Sequence, residues 1–158
     1  MTENLESTKQ DIGHWTFFTE FDPECWIGFT YRITNVLTGQ QYIGKKFFWS
    51  TLRKKVKNRK NRKKVVKPSN WKTYTGSSNT LNADIEKFGK LNFRFEIESL
   101  HESRGTLHLT EIEKLISENV LRECLTNGCR KYYNGMVNGI KFIPGPETAL
   151  EKAHKVRK

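Results

Sequence analysis

Between residues 93 and 98 apolar and charged side chains alternate without a break: Phe93, Phe95 and Ile97 against Arg94, Glu96 and Glu98. A period of two marks a strand with one face buried. Bulky residues alternate in the same way from Trp26 to Ile33, and a second short run, Gln41-Tyr42-Ile43, follows the turn residues Thr38-Gly39. Two such runs joined by a turn predict a β-hairpin. Helical spacing appears twice. Leu81, Ile85 and Phe88 share one face of a segment that Ser78 or Asn79 can cap and Gly89 can stop. Leu109, Ile112, Leu115, Ile116 and Val120 recur at intervals that predict a second long helix to about Leu121. A short helix is also expected from Phe48 to about Lys55. The whole reads as a small α+β domain, a three-stranded, mainly antiparallel sheet flanked by helices.

The chain of 158 residues has the length of one domain. Residues 1–25 read as a polar, then aromatic, tail with one edge segment, residues 26–135 as the domain, and residues 136–158 as a C-terminal extension. No apolar run approaches the ~20 residues that cross a bilayer, so no membrane role is expected. The first residues carry Glu3, Glu6 and Asp11 and no apolar stretch, unlike a secretory signal. A cytoplasmic location is the expectation. Three cysteines, Cys25, Cys124 and Cys129, are an odd number at spacings that fit no zinc site, and free thiols are expected.

Charge changes this picture because it is concentrated. The formal net charge is +11, with 28 Lys and Arg against 17 Asp and Glu. No acid occurs between Glu24 and Asp84, while Lys45, Lys46, Arg53, Lys54, Lys55, Lys57, Arg59, Lys60, Arg62, Lys63, Lys64, Lys67 and Lys72 fall within that gap. The rest of the chain is close to neutral. The stretch 53–67 therefore reads as a basic insertion, mobile through self-repulsion unless a polyanion neutralises it. A nucleic-acid backbone is the partner that such a run favours, by counterion release.

The residues Phe29-Thr30-Tyr31, then Gly39, then Tyr42-Ile43-Gly44-Lys45-Lys46, resemble the two halves of the GIY-YIG nuclease signature. The second half is complete, and ten residues separate Tyr31 from Tyr42, as across a hairpin. The resemblance runs on through Arg53, Tyr74-Thr75-Gly76-Ser77-Ser78, Glu111 and Tyr133-Asn134, covering roughly residues 28–135. It is closest in character to the small freestanding Seg-like endonucleases of bacteriophages. The first half departs from the pattern, reading GFTY where the family has GIY, with Gly28 one place early and Thr30 in place of isoleucine.

That resemblance implies a metal-dependent DNA endonuclease that hydrolyses phosphodiester bonds, with a homing role among the expectations. It implies Tyr31 as the base that activates water, Tyr42 as its support, Arg53 as the brace on the scissile phosphate, Glu111 as the carboxylate for Mg²⁺ or Mn²⁺, and Asn134 as a tie between chain and site. Lys54 and Lys55 are alternates to Arg53, whose spacing is displaced by about one residue, and Glu113 is the alternate to Glu111. Many members carry a histidine one helical turn after the arginine, where this chain has Lys57, which cannot accept a proton. The expected partner is DNA, double-stranded, cut by one chain at a time or by a transient dimer. Two other readings stand beside this one. A non-catalytic nucleic-acid-binding protein would keep the fold and use the basic stretch 53–67, and a structural component of an RNA–protein assembly would use the basic stretch alone.

Overall fold

The computed structural model describes residues 10–141. The central sheet holds β1 (Gly28–Asn35), β2 (Gln41–Phe47) and β5 (Phe93–His101), in the order β2-β1-β5 with both pairings antiparallel. Between them lie β3 (Trp49–Lys54), β4 (Lys63–Pro68) and α1 (Asn79–Phe88), while α2 (Arg104–Ser117) and a minimal hairpin of β6 (Met136–Val137) and β7 (Ile140–Lys141) follow. The α+β class and the three-stranded antiparallel sheet are as the alternation of residues predicts.

The pleat of β1 sorts the two faces. Phe29, Tyr31 and Ile33 point to one side, where Phe95 and Ile97 of β5, Leu81 of α1, Phe48 and Trp71 complete an aromatic core. Gly28, Thr30 and Arg32 point to the other, toward α2. Gly28 makes room for that helix: a Cβ there would lie 2.8 Å from a Leu107 methyl and 2.4 Å from the Lys46 carbonyl oxygen. A smaller cluster of Ile43, Leu115, Val120 and Tyr132 holds α2 to β2.

Residues 12–21 belong to the core rather than to a tail. Thr16 exchanges backbone hydrogen bonds of 2.9 Å with Phe95 and Ile97, adding a parallel edge beside β5. Trp15 is buried and its Nε1–H donates to the Trp71 carbonyl at 2.6 Å. His14 stacks on Phe95 with ring centroids 4.0 Å apart, and its Nε2–H donates to the Tyr74 carbonyl at 3.0 Å. Loss of hydration, with the charge of Lys90 nearby, lowers the His14 pKa from 6.5 to about 4, so the ring is neutral near pH 7.

Two expectations are corrected here. The segment after Phe48 is the strand β3, not a helix, and the basic stretch is a β-hairpin rather than a loop: Thr51 pairs with Val66, Leu52 with Val65 and Arg53 with Lys64. The signal lay in Val65-Val66, a β-branched pair that gives β3 a cross-strand partner. The second helix also begins earlier than its apolar residues indicate. Ser103 caps it by accepting from Thr106 N–H at 3.1 Å, and the chain leaves the helix at Asn119, whose φ is +51°. Val120 then turns into the core instead of extending the helix.

Candidate active site

Tyr31 and Tyr42 lie on adjacent strands and face the same side, with ring centroids 6.1 Å apart. The glycine of the YIG triplet is what permits this. Tyr31 pairs with Gly44 across the ladder and its phenol lies directly over it: a Cβ on Gly44 would stand 2.5 Å from the Tyr31 hydroxyl and 2.7 Å from Cζ. A third phenol, Tyr74, meets Tyr31 edge-on at 6.2 Å. The Tyr31 hydroxyl interacts with those of both Tyr42 and Tyr74. Lys46 places its ammonium 3.9 Å from the Tyr74 ring centroid and donates to Asn70 Oδ1 at 2.8 Å.

The three phenols differ in exposure. Tyr31 is 1% exposed, under Trp15 and Phe29, and burial holds its pKa well above the usual 10, with Tyr42, Tyr74 and the charge of Glu111 acting in the same direction. It is a neutral phenol near pH 7. Tyr42 is the member of the cluster that lines the open cleft, and its hydroxyl lies 3.1 Å from Ser77 Oγ.

That cleft has a volume of about 490 Å³ and runs between the β2 edge, the start of α1 and α2. Glu111 lines it from α2, together with Lys45, His108 and Ser77. The Lys45 ammonium donates to Glu111 Oε2 and, at 2.9 Å, to His108 Nδ1, one helical turn before the carboxylate. Glu113 does not line the cleft. Among the described residues no three His, Cys, Asp or Glu side chains gather around one point. The donor set therefore suits an ion that keeps most of its water. One carboxylate, with phosphate oxygens arriving on the substrate, is what Mg²⁺ accepts, whereas a caged structural zinc would need more protein ligands.

Asn134 is buried and clasps a single peptide group. It accepts from Ile43 N–H at 3.0 Å and its amide donates to the Ile43 carbonyl at 2.8 Å. With Gln41 N–H donating to Lys131 O and Tyr133 N–H donating to Gln41 O, this seals the outer edge of β2 and fixes the strand that carries Tyr42, Gly44 and Lys45. Asn134 thereby ties the chain after α2 to β2. Tyr133 extends the tie, accepting from Asn35 Nδ2 at 3.1 Å and donating to Asp84 of α1 at 2.8 Å.

Arg53 is not brought to this cleft. It lies exposed on β3, opposite Lys64, in a hairpin outside the main sheet. Lys54, Lys55, Lys57, Arg59, Lys60, Arg62, Lys63, Lys64 and Lys67 share the hairpin and its tip, and Lys72 pairs with Asp11 at 2.9 Å. The cations beside the cluster are Lys45 and Lys46. Sequence reasoning placed these two only as nucleic-acid contacts, held Tyr74 and Ser77 only as part of the Tyr74–Ser78 motif, and missed His108 as a site residue. The His108-to-Glu111 spacing of one turn on an amphipathic helix was the available signal.

A hairpin that stacks two tyrosines over a glycine, a lone helix carboxylate across the cleft and an asparagine clamp on the YIG strand define a domain of the GIY-YIG class. The family model SegE_GIY-YIG, "Putative endonuclease segE, GIY-YIG domain", matches residues 12–137. The chain belongs to this Seg-like family of GIY-YIG endonuclease domains, whose substrate is DNA. The match begins at Ile12, where the N-terminal segment joins the core. Neither curated proteins nor solved structures returned a match.

Proposed function

We propose that this chain hydrolyses phosphodiester bonds of double-stranded DNA in the cleft between β2 and α2. The observation that carries the reading is the fit of the Tyr31 phenol over Gly44, which sets it against Tyr42 at the cleft. A tyrosine with a raised pKa cannot act as a standing tyrosinate, so the pair works by relay. The attacking water gives its proton to Tyr42 Oη as the Tyr42 proton passes to Ser77 and solvent, and Tyr31 holds the Tyr42 hydroxyl in line. The water oxygen bonds to phosphorus, the bond to the leaving oxygen breaks, and that oxygen takes a proton from solvent. Lys45 and Lys46 neutralise the phosphate from the two sides of β2, the role that the resemblance implies for Arg53. Glu111 would hold a divalent cation, which when bound supplies Lewis-acid stabilisation of the phosphate. Lys45 leaves Glu111 for the phosphate as substrate enters. Arg53 and the other hairpin cations bind flanking DNA.

The resemblance to freestanding phage enzymes supports a homing role in a bacterial cytoplasm. A duplex break then takes two cuts, by successive events or by two chains meeting transiently on DNA. The domain proper comprises residues 12–137, with the basic hairpin as its insertion. Nicking of supercoiled plasmid tests the chemistry. Wild type is expected to nick in Mg²⁺ and not in EDTA, and Tyr42→Phe and Tyr31→Phe to nick about 100-fold more slowly, the usual contribution of a positioned proton-transfer group. Full activity in both variants would remove the phenols from the mechanism.

A further inference from the structure

The β3–β4 hairpin carries its cations in an unusual way. Pairing fixes which side chains share a face: Arg53 and Lys64 stand opposite each other on one face, and Lys54 and Lys63 on the other. All four are exposed. Beyond them the eight-residue tip, residues 55–62, adds Lys55, Lys57, Arg59, Lys60 and Arg62. Neither strand joins the main sheet, and no Asp or Glu occurs anywhere in the hairpin.

Like charges directly opposite each other destabilise a ladder. Here two such pairs follow in succession, and a ribbon built to lie flat on a phosphate backbone has use for only one of them. Positive charge on both faces fits a ribbon with phosphates on both sides. Only a groove of duplex DNA offers that. The major groove of B-form DNA, about 12 Å wide, admits a two-stranded β-ribbon, and the minor groove, about 6 Å, is too narrow for one. A-form RNA presents a major groove too narrow for side chains to read.

We propose that the β3–β4 hairpin enters the major groove of B-form DNA tip first, Arg53 and Lys64 facing one phosphate wall and Lys54 and Lys63 the other. This rests on the reading that DNA is the substrate and names the form of nucleic acid that the chain selects. The groove contact, rather than the cleft, then supplies duplex selectivity.

The test is binding of the full chain to a fluorescent DNA duplex in EDTA, over a salt series, so that the result does not depend on cleavage. Two double variants are compared with wild type: Arg53→Gln with Lys64→Gln, and Lys54→Gln with Lys63→Gln. All four positions are exposed, and unfolding midpoints report whether the fold is kept. Each variant is expected to lower the slope of log K against log salt by about 1.8, two phosphate contacts each. Methyl green, which fills the major groove, is expected to weaken wild-type binding about tenfold and netropsin, in the minor groove, less than about twofold, since displaced phosphate contacts set the affinity. Loss confined to one face, competition by netropsin alone, or equal binding to duplex RNA would overturn the proposal. A chain that binds in this way and nicks no plasmid would leave it standing and remove the nuclease reading instead.

Discussion

Gly44 and Asn134 each carry an exacting demand on a single residue. Alanine at position 44 must displace the Tyr31 phenol from beneath Trp15, in a core with no slack, because its Cβ would lie 2.5 Å from the Tyr31 hydroxyl. Gly44→Ala is expected to cost about 1–3 kcal/mol, the range for overpacking, and to slow nicking at least as much as Tyr31→Phe. Denaturant unfolding and plasmid nicking check the two halves. Asn134→Ala removes both bonds to the Ile43 peptide and leaves that peptide group without these partners. An expected loss of about 2–3 kcal/mol should appear as a lower unfolding midpoint, with DNA binding by the hairpin retained. His14 gives a pH dependence with a definite sign. Its folded pKa, about 4, is below its unfolded value near 6.5, so its contribution is complete above pH 6.5 and is lost as pH falls toward 4. Burial, then the charge of Lys114, shifts His101 in the same direction. After allowance for partial exposure the His14 effect is about 2 kcal/mol, and His14→Gln should flatten the stability profile between pH 6.5 and 4.

At the scale of elements, strands with one buried face were readable and the hairpin was not. Phe93, Phe95 and Ile97 announce β5 because one face of that strand is apolar core and the other carries charged side chains, exposed at Arg94 and half-buried at Glu96 and Glu98. β3 and β4 have no buried face, so their sequence shows cations instead of alternation, and pairing was visible only through Val65-Val66. α2 was misjudged at both ends for a related reason. Its first turn rests on the Ser103 cap and a single buried residue, Leu107, and its last apolar residues turn inward past Asn119. The site was legible as far as the motif extends, through Tyr31, Tyr42, Glu111 and Asn134. Arg53 lies outside the cleft because β3 and β4 pair with each other and not with the main sheet. Lys45 and His108 become site residues only when α2 packs against β2, which is a tertiary event. Joining Lys54 to Lys63 through Asn-Gly in place of residues 55–62 keeps the strand register with a two-residue turn. The shortened chain is expected to keep its unfolding midpoint and to lose about 4.5 from its salt slope, five cations being removed. A cooperative loss of structure would show instead that the tip belongs to the fold.

For the whole molecule, two surfaces divide the work. The cleft presents Tyr42 and Lys45 on β2, Ser77 just before α1, and His108 and Glu111 on α2, and the hairpin presents most of the excess positive charge on a separate ribbon. That separation lets binding and chemistry be broken independently, which makes the central claim open to direct test. The measurement is supercoiled-plasmid cleavage by wild type and Glu111→Gln, in Mg²⁺ and in EDTA, with duplex binding followed in parallel. The account expects cleavage that requires both the metal and Glu111, falling at least about 100-fold in the variant, as for removal of a principal electrostatic group, while binding stays within about twofold of wild type because the hairpin cations are untouched. Cleavage by Glu111→Gln at the wild-type rate would contradict the assignment of the cleft. Binding without cleavage by either protein would contradict the nuclease and leave the basic hairpin as the functional surface.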